Sequence, residues 1–536
     1  MTVPYTFATA SGSLPLSQLD SNFAAVGQAS NIANTPAGTI ASTDVQSAIN
    51  EIVSDLAASS GSSLVGYLPS GTGAVASTVQ TKLRESVSVK DFGAKGDGVT
   101  DDTAAIQAAV TAVCLNTDPA TYGSNTPALG PVELFFPAGV YKITSAITAT
   151  RSISIRGDGH SEFSTGARVI QYTAAKDHFQ INPIAQGSSV SFTNMTLTAN
   201  GNGGTGGSCI NITKASGACA SIRIIGCTFG TPQTYAIKIQ TADDVMIYDN
   251  LFDVSATSCI SLGTSTAADV VSNCCVRGNT FYSIANYGVL TYNVTGLLIE
   301  GNRIYPNAAK LGTFLDGYNT LPYQVKNVVV TGNNFSGVNC IAKLTSVVGF
   351  VFQGNNGVLL GAGTGATLSC LEFTGTCSNI SISGNVLSGA FDTKNFYNDA
   401  GATITACNIG DNTFVATSGT GQALFVGATS GSIKQNAMLG FSSPSVGEQI
   451  YTTGNAISTG VIASLGSFAF TKTITGAKQG DKVTLTPSST TWPAPAGIVI
   501  SAFVSASFNT ISIQYTNVTG SGIGVPSHDF GILVTR

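Results

Sequence analysis

The chain has 536 residues and 43% of them are hydrophobic, so it can bury a large core and does not have the composition of a disordered protein. Only 10% of the residues are charged, against about 25% in ordinary globular domains, and the formal net charge is −5. No basic block indicates a nucleic-acid-binding protein, no apolar run approaches the roughly 18–20 residues that insert into a membrane, and the N-terminus lacks the pattern of a secretory signal.

Residues 1–88 contain short helical patterns between Gly-, Ser- and Pro-containing stretches. In one of these patterns Val45, Ile49, Ile52 and Leu56 recur at spacings of 4, 3 and 4. Such a short apolar seam is stable only against partner helices, although a single amphipathic helix packed on a neighbouring domain has the same pattern.

Residues 86–113 read SVSVKDFGAKGDGVTDDTAAIQAAVTAV and predict a strand, a turn and one amphipathic helix. Asp101 and Asp102 precede the helix and supply capping groups, so we assign the acidic GDGVTDD cluster a structural role. The helix presents an apolar face, and a helix of this kind before a long β array is expected to cover the open end of that array. The residues of this face are Ile106, Ala109, Val110 and Val113.

Between residues 150 and 440 one pattern recurs: apolar-x-apolar-x-(Gly/Asp)-Asn-x-apolar. Cys227 takes the place of the Asn in one repeat, and successive repeats are separated by 22 to 31 residues. Alternation with a period of two predicts a strand with one buried face, and a recurring Asn predicts a ladder of stacked turns. The pattern is typical of a β-solenoid. The Asn positions are 250, 279, 302, 333, 355, 385, 412 and 436.

The C-terminal part changes character again. Residues 441–466 form a Gly/Ser-rich linker, and residues 467–536 contain several alternating strands separated by turns. These strands predict a small β-sandwich. The predicted organisation is therefore residues 1–88 with short helices, a β-helix with its lid at 89–440, the linker, and the sandwich.

Two segments carry a resemblance to a known family. The segment VKDFGAKGDGVTDDTAAIQAAV (89–110), followed by FFPAGVYKI (135–143), resembles the pectate-lyase-like β-helix superfamily, which includes phage tailspikes and depolymerases. The opening TVPYTFATASGSLPLSQLDSNFAAV and residues 66–86 look like the attachment ends of phage tail fibres and spikes. The resemblance implies an all-β, right-handed parallel β-helix. It also implies a homotrimer that is bound through residues 1–88 to a phage tail or baseplate protein, with the C-terminal sandwich serving trimerisation or glycan contact. The implied location is the virion, with the protein extracellular after host lysis.

The sequence offers few kinds of side chain that could form a catalytic site. Its three histidines, His160, His178 and His528, are far apart in sequence, and the 11 cysteines show no metal-ligand spacing, so we expect no metal site and no cofactor. Carboxylates remain, and a pair of carboxylates suffices for glycoside hydrolysis.

Counting from the ladder Asn gives the outward-facing positions. The position two residues before the Asn holds Tyr248, Arg277 and Glu300 in successive repeats, and the position three residues after it holds Asp253, Tyr282 and Tyr305. We expect these six side chains to share one face as a sugar groove. A long insertion at 305–324 is expected to form an aromatic loop with Phe314, Tyr318 and Tyr323 around Asp316. The candidate catalytic residues are Glu300, Asp253 and Asp316, and the candidate substrate-binding residues are Tyr248, Arg277, Tyr282, Tyr305 and Tyr318.

Three functions fit this reading. The chain is expected to bind and hydrolyse a bacterial surface polysaccharide, either a capsule, an O-antigen or an exopolysaccharide. A lyase acting on a uronate glycan, with Arg277 neutralising the sugar carboxylate, is the first alternative. A receptor-binding or structural tail fibre without catalysis is the second.

Overall fold

The structure is a computed structural model. It describes residues 15–115, 133–159, 166–183, 188–200, 207–213, 219–230, 234–255, 257–266, 268–284, 286–305, 312–317, 325–359, 370–390, 396–398, 403–418, 431–434, 437–439, 450–452, 456–457, 461–462, 467–473, 482–487, 498–504, 510–517, 523–524 and 528–535.

The chain divides into two compact units, residues 1–86 and 87–536. In the described part of the first unit, the side chain of Asp44 caps the second helix by accepting a hydrogen bond from the backbone N–H of Ser47. This helix is the one predicted by the apolar seam, and Ile49, Ile52 and Leu56 on it are 41–50% exposed. The helices are Leu16–Gly27, Val45–Ala57 and Val79–Leu83, and the short strands Gly66–Tyr67 and Ser77–Thr78 pair in an antiparallel manner.

The second unit is built on three long parallel sheets that the chain visits in turn, one strand of each per rung. Val87 and Ser88, which we had placed with the N-terminal region, form the first strand of the first sheet by pairing with Leu134 and Phe135. The strands of the first sheet are Val87–Ser88, Glu133–Phe136, Ile153–Gly157, Ser189–Thr193, Ser221–Ile225, Val245–Tyr248, Val271–Arg277, Val294–Glu300, Lys326–Thr331, Val348–Gln353, Thr376–Ser383, Thr403–Gly410 and Gly431–Lys434.

The other two sheets follow the same order along the chain. The strands of the second sheet are Asp97–Asp101, Gly139–Ile143, Ala167–Gln171, Thr196–Ala199, Thr228–Gly230, Leu251–Ser255, Thr280–Ile284, Arg303–Tyr305, Asn334–Val338, Asn356–Leu359, Val386–Ala390, Thr413–Ser418 and Ala437–Leu439. The strands of the third sheet are Ile147–Ala149, Phe179–Ile181, Ser208–Ile212, Tyr235–Ile239, Ser258–Leu262, Tyr287–Thr291, Thr313–Gly317, Cys340–Thr345, Leu371–Thr374 and Phe396–Asn398. This is a parallel β-helix, as the repeat predicts.

The predicted Asn ladder is confirmed at the turn between the first and second sheets. The amide nitrogen of Asn302 donates to the backbone carbonyl of Val276 at 2.9 Å and to Oδ1 of Asn333 at 2.9 Å. Its own Oδ1 accepts from the backbone N–H of Asn279 at 2.9 Å. Every polar group of the side chain is therefore used, which makes burial of the amide tolerable. The same pattern links the buried residues Asn250, Asn279, Asn302, Asn333, Asn355, Asn385 and Asn412; residue 436 lies outside the described residues.

The residue before each ladder Asn explains the Gly/Asp position of the repeat. Gly278 has φ of 65° and Asp249 has φ of 54°, both in the left-handed region. Glycine enters this region without steric cost, and Asp and Asn tolerate it better than other residues. The repeat therefore specifies both the turn and the side chain that links one turn to the next.

Aromatic and aliphatic residues stack inside the coil. The ring of Phe252 lies 5.1 Å from that of Phe229 and 4.8 Å from that of Phe281, with interplanar angles of 9° and 12°. These rings are fully buried, and the position continues with Ile304 and Phe335 on the next rungs. One cluster of buried residues therefore extends along the described coil from Val89 to Ile409.

The helix Thr103–Leu115 packs its predicted apolar face on the first rungs. The side-chain amide of Gln107 donates to the backbone carbonyl of Thr148 at 2.9 Å and accepts from its backbone N–H at 2.8 Å. Thr148 lies on the first strand of the third sheet, whose outer edge would otherwise offer unpaired backbone groups. Asp102 is buried and accepts from the backbone N–H groups of Lys95 and Gly96, which confirms the structural role of the acidic cluster.

The C-terminal strands are antiparallel, unlike those of the coil. Thr510–Asn517 lies between Ser467–Thr473 and Ile498–Val504 in one sheet. In another, His528–Thr535 pairs with Ile450–Thr452, Ala456–Ile457 and Lys482–Pro487. A further two-stranded antiparallel sheet pairs Val461–Ile462 with Ile523–Gly524. Three of these strands, Ile450–Thr452, Ala456–Ile457 and Val461–Ile462, lie in residues 441–466, which we had predicted to be a linker. The 11 cysteines all lie in the described residues and form no disulfide bonds there, and ten of them are buried, as expected for small apolar core residues. In the part of the chain that is described, no helix has the length and apolarity needed to cross a membrane.

Candidate functional site

Three of the predicted site residues lie in a row on the outer face of the first sheet. Tyr248, Arg277 and Glu300 are register partners on successive strands. The Nε of Arg277 lies 3.6 Å from Oε2 of Glu300, and both side chains are largely exposed. A hydrogen bond with the Cys275 thiol, together with burial, raises the pKa of Tyr248 to about 12. An exposed ion pair of this kind contributes at most about 1 kcal/mol to stability, because water screens both charges.

The other predicted row lies on the second sheet. Asp253, Tyr282 and Tyr305 are register partners, and the two tyrosine rings stack with centroids 5.3 Å apart. The prediction that these residues share one face with Arg277 and Glu300 is wrong. The turn that carries the inward-pointing Asn ladder lies between the two rows, so side chains on either side of it point outward from different sheets.

The position of Asp316 also corrects the prediction. Asp316 lies on the strand Thr313–Gly317 of the third sheet and not in an aromatic loop. Phe314, expected as a stacking platform, is fully buried between the rings of Phe281 and Phe335. Tyr318 and Tyr323 lie outside the described residues. The structure therefore does not bring Asp316 together with Glu300, because the two residues face outward from different sheets.

The third sheet places Asp316 in a row of charged side chains. Asp316 is the register partner of Lys343, and Lys343 is the register partner of Glu372. Their neighbours in the same strands, Leu315 and Leu371, point into the core, so the charged residues point to the outer face. We call these three residues the Asp-Lys-Glu row. The row carries two carboxylates on either side of one ammonium group.

The two carboxylates of the row lie in different environments. Asp316 is only 6% exposed, and burial raises its pKa to about 6, with the nearby Lys343 charge opposing this and the Glu372 charge adding to it. The Nζ of Lys343 lies 3.0 Å from Oε1 of Glu372, whose side chain is 22% exposed. Burial acts to lower the pKa of Lys343, but the hydrogen bond with Glu372 and the two carboxylate charges outweigh it, so the net shift is upward. Carboxylates in unlike environments are the usual arrangement of an acid and a base.

The distance between the two carboxylates of the row determines which type of glycoside hydrolysis they could catalyse. Strands in adjacent rungs lie about 4.8 Å apart, so the backbones of Asp316 and Glu372 are about 10 Å apart. Two carboxylates that flank a glycosidic bond and a water molecule stand about 6.5–9.5 Å apart in inverting enzymes, and about 5–5.5 Å apart in retaining ones. If the two side chains tilt toward each other, the distance between their carboxyl groups falls in the range of inverting enzymes. The shorter distance of retaining enzymes is harder to reach from strands two rungs apart.

Sequence reasoning missed Lys343 and Glu372. The Asn repeat defines the first and second sheets, while the strands of the third sheet fall in the spacers of variable length. A second and weaker pattern was available, because segments such as SCISL, CIAKL and CLEF share an alternating apolar core. In that pattern Lys343 and Glu372 occupy the outward place that Ser261 holds on an earlier rung.

Among the described residues, no group of three or more His, Cys, Asp or Glu side chains is arranged to hold a metal ion.

One family model matches part of the coil. Residues 86–304 match the family model described as rhamnogalacturonase A/epimerase, pectate lyase-like. Over 70 residues, 13% of this chain, the sequence is 46% identical to the non-secreted LysM effector LysM19 of Penicillium expansum. The chain spans only 5% of the length of that relative.

Two similar solved structures are the A-module of the mannuronan C-5 epimerase AlgE6 of Azotobacter vinelandii and a double mutant of the tailspike protein of E. coli bacteriophage HK620. The first is 15% identical with a TM-score of 0.45, covering 67% of this chain and 100% of that chain. The second is 12% identical with a TM-score of 0.44, covering 91% of this chain and 100% of that chain. At these values the likeness concerns the general fold alone.

Proposed function

We propose that the chain is a phage tailspike that binds and hydrolyses a bacterial surface polysaccharide at the Asp-Lys-Glu row. The match of residues 86–304 to a pectate lyase-like family model supports this proposal. The observation that carries the proposal is the buried Asp316, which lies two rungs from Glu372 and whose pKa is raised to about 6. At pH 7 about a tenth of such a group is protonated, which is roughly a hundredfold more than at its ordinary pKa. A protonated carboxyl and a second carboxylate at this spacing are the groups that glycoside hydrolysis requires.

All three residues of the row have a role in the proposed reaction. Asp316 donates its proton to the glycosidic oxygen as the bond from that oxygen to the anomeric carbon breaks. Glu372 accepts a proton from a water molecule, whose oxygen forms the new bond to the anomeric carbon on the opposite face of the sugar. Lys343 orients the Glu372 carboxylate through the ion pair. Atoms and charges balance, because one proton leaves Asp316 and one arrives at Glu372, and the product is inverted at the anomeric carbon.

We further propose that the protein is a homotrimer attached to the phage tail through its first unit. The apolar seam of the helix Val45–Ala57 supports this, since Ile49, Ile52 and Leu56 are 41–50% exposed. Helices of this length gain stability from packing against partner helices. The location that follows is the virion, with the protein extracellular after host lysis.

The experiment exposes purified bacterial capsular polysaccharides, O-antigens and exopolysaccharides to the full chain and follows their length by size-exclusion chromatography. Hydrolysis yields shorter glycans with new reducing ends and no new ultraviolet absorbance. A lyase would instead produce an unsaturated, ultraviolet-absorbing end, and a fibre without catalysis would bind a polysaccharide without shortening it. Either of these two results contradicts the proposal.

A further inference from the structure

A cavity lies on the outer face of the second sheet, away from the Asp-Lys-Glu row on the third sheet. It has a volume of about 240 Å³, and its lining spans three successive rungs. Its lining includes side chains from two outward columns of the sheet, which contribute Arg303, Tyr305, Asn334, Ser336, Asn356 and Val358.

The cavity begins where a stack of aromatic rings ends. The rings of Tyr282 and Tyr305 are 5.3 Å apart with an interplanar angle of 21°, so they stack along the coil at about the spacing of the rungs. By the register of Ile304 with Phe335, the next place in this column belongs to Ser336, and Val358 follows it. Because serine is small, the face of Tyr305 opposite Tyr282 is left without a third ring.

The second column supplies hydrogen-bonding groups beside this open face. Arg303, Asn334 and Asn356 are register partners and all three are exposed. A guanidinium offers donors, and the two amides offer both donors and acceptors. An apolar ring face flanked by a few polar groups in a concavity is the usual composition of a small-ligand site, and a pyranose has an apolar C–H face and a rim of hydroxyls that match it.

We propose that this cavity is a second glycan-binding site, in which one pyranose unit of the polysaccharide stacks on Tyr305 while Arg303, Asn334 and Asn356 hydrogen-bond its hydroxyls. The inference rests on the proposed function, since the ligand is the same polysaccharide. The site holds the polymer without cutting it, because the Asp-Lys-Glu row lies on another sheet. A polymer held at two places dissociates more slowly than one held at either place alone.

The test measures binding of the full chain to immobilised capsular polysaccharides, O-antigens and exopolysaccharides. The background variant Glu372→Gln prevents cleavage during the measurement. Adding Tyr305→Ala is expected to lower the affinity for the bound polysaccharide by about tenfold, because the stacking surface is removed. Tyr305→Phe should recover most of that affinity. Tyr172→Ala, which removes an exposed tyrosine near the N-terminal end of the same sheet, is the matched control and should retain full affinity.

Unchanged affinity after Tyr305→Ala overturns the inference, and so does a lack of binding to every polysaccharide tested. A change in molecular mass after Tyr305→Ala, measured by light scattering, would show that the face contacts another copy of the chain and would overturn it as well. Failure of the hydrolase proposal looks different: the unaltered chain binds a polysaccharide without shortening it, while the effect of Tyr305→Ala on affinity persists.

Discussion

The ammonium group of Lys343 lies 3.0 Å from a carboxylate oxygen of Glu372, and both residues project from the outer face of the third sheet. The same lysine is the register partner of the buried Asp316 on its other side. Burial raises the pKa of Asp316 to about 6 although the nearby Lys343 charge opposes this, and the predictions below start from these contacts.

The raised pKa of Asp316 predicts a pH-dependent stability. The carboxyl has a pKa of about 6 in the folded chain and an ordinary value of 3.8. The folded state therefore binds more protons between about pH 4 and pH 6, and the free energy of unfolding falls as the pH rises through this window. The loss is at most about 3 kcal/mol for a shift of about two pKa units. Urea denaturation at pH 4 and at pH 7.5 measures it.

Asp316→Asn should remove this dependence, since the amide does not titrate. The variant is expected to be more stable than the wild type at pH 7.5, while the gain shrinks toward pH 4. Equal differences between the two proteins at both pH values would contradict a raised pKa for Asp316.

The Asn ladder predicts a specific loss of stability. Asn302→Ala removes an amide that is 1% exposed and leaves the backbone N–H of Asn279 without its acceptor. An unpaired buried group of this kind costs about 1–3 kcal/mol. The control is Asn408→Ala, since Asn408 is exposed on the outer face of the first sheet and should change stability by less than about 0.5 kcal/mol. Chemical denaturation gives both values, and similar losses in the two variants would argue against the ladder.

The exposed seam of the first unit predicts trimers. Light scattering at micromolar concentration should give about three times the mass of one chain, which is 54.4 kDa. Ile52→Lys, a charge on the seam, should weaken any association that depends on these helices. A monomeric mass for the unaltered chain would rule out the trimer.

The division into two units predicts the effect of a truncation. Removal of residues 1–86 leaves Val87 and Ser88, which form the first strand of the first sheet, and leaves the lid helix Thr103–Leu115 in place. The shortened chain should cleave polysaccharide at the same rate as the full chain. A lower rate would mean that the first unit contributes to the site.

The sequence contains most of the information on the coil and little on the site. The Asn at each turn, with a Gly or Asp before it, defines a repeated backbone geometry, so the ladder and the two sheets beside it follow from local chemistry. The segments that precede the strands of the third sheet vary in length. The positions of these strands therefore cannot be obtained by counting residues from the ladder Asn. Asp316 therefore looked like a loop residue although it is on a strand, and Glu372 was not considered.

The rows of outward residues show the same limit. Alternation correctly gave the outward positions of Glu300 and Tyr282, since they depend only on the period of a strand. Whether two rows of outward-facing residues lie on one surface depends on the angle between their sheets. The alternation of apolar and polar residues carries no information on that angle. The sequence therefore could not show that Asp253 and Asp316 lie on different sheets from Glu300.

The most direct test of the catalytic assignment is the turnover of Glu372→Gln on the polysaccharide that the wild type cleaves. Turnover should fall by about 100-fold or more while the affinity for the glycan is largely kept, because the substitution removes a proton acceptor and little volume. Glu300→Gln is the matched control, since Glu300 is an outward carboxylate with a cationic partner on the first sheet, and it should cleave at nearly the normal rate. Near-normal turnover by Glu372→Gln, or a comparable loss in Glu300→Gln, would contradict the assignment of the active site to the Asp-Lys-Glu row.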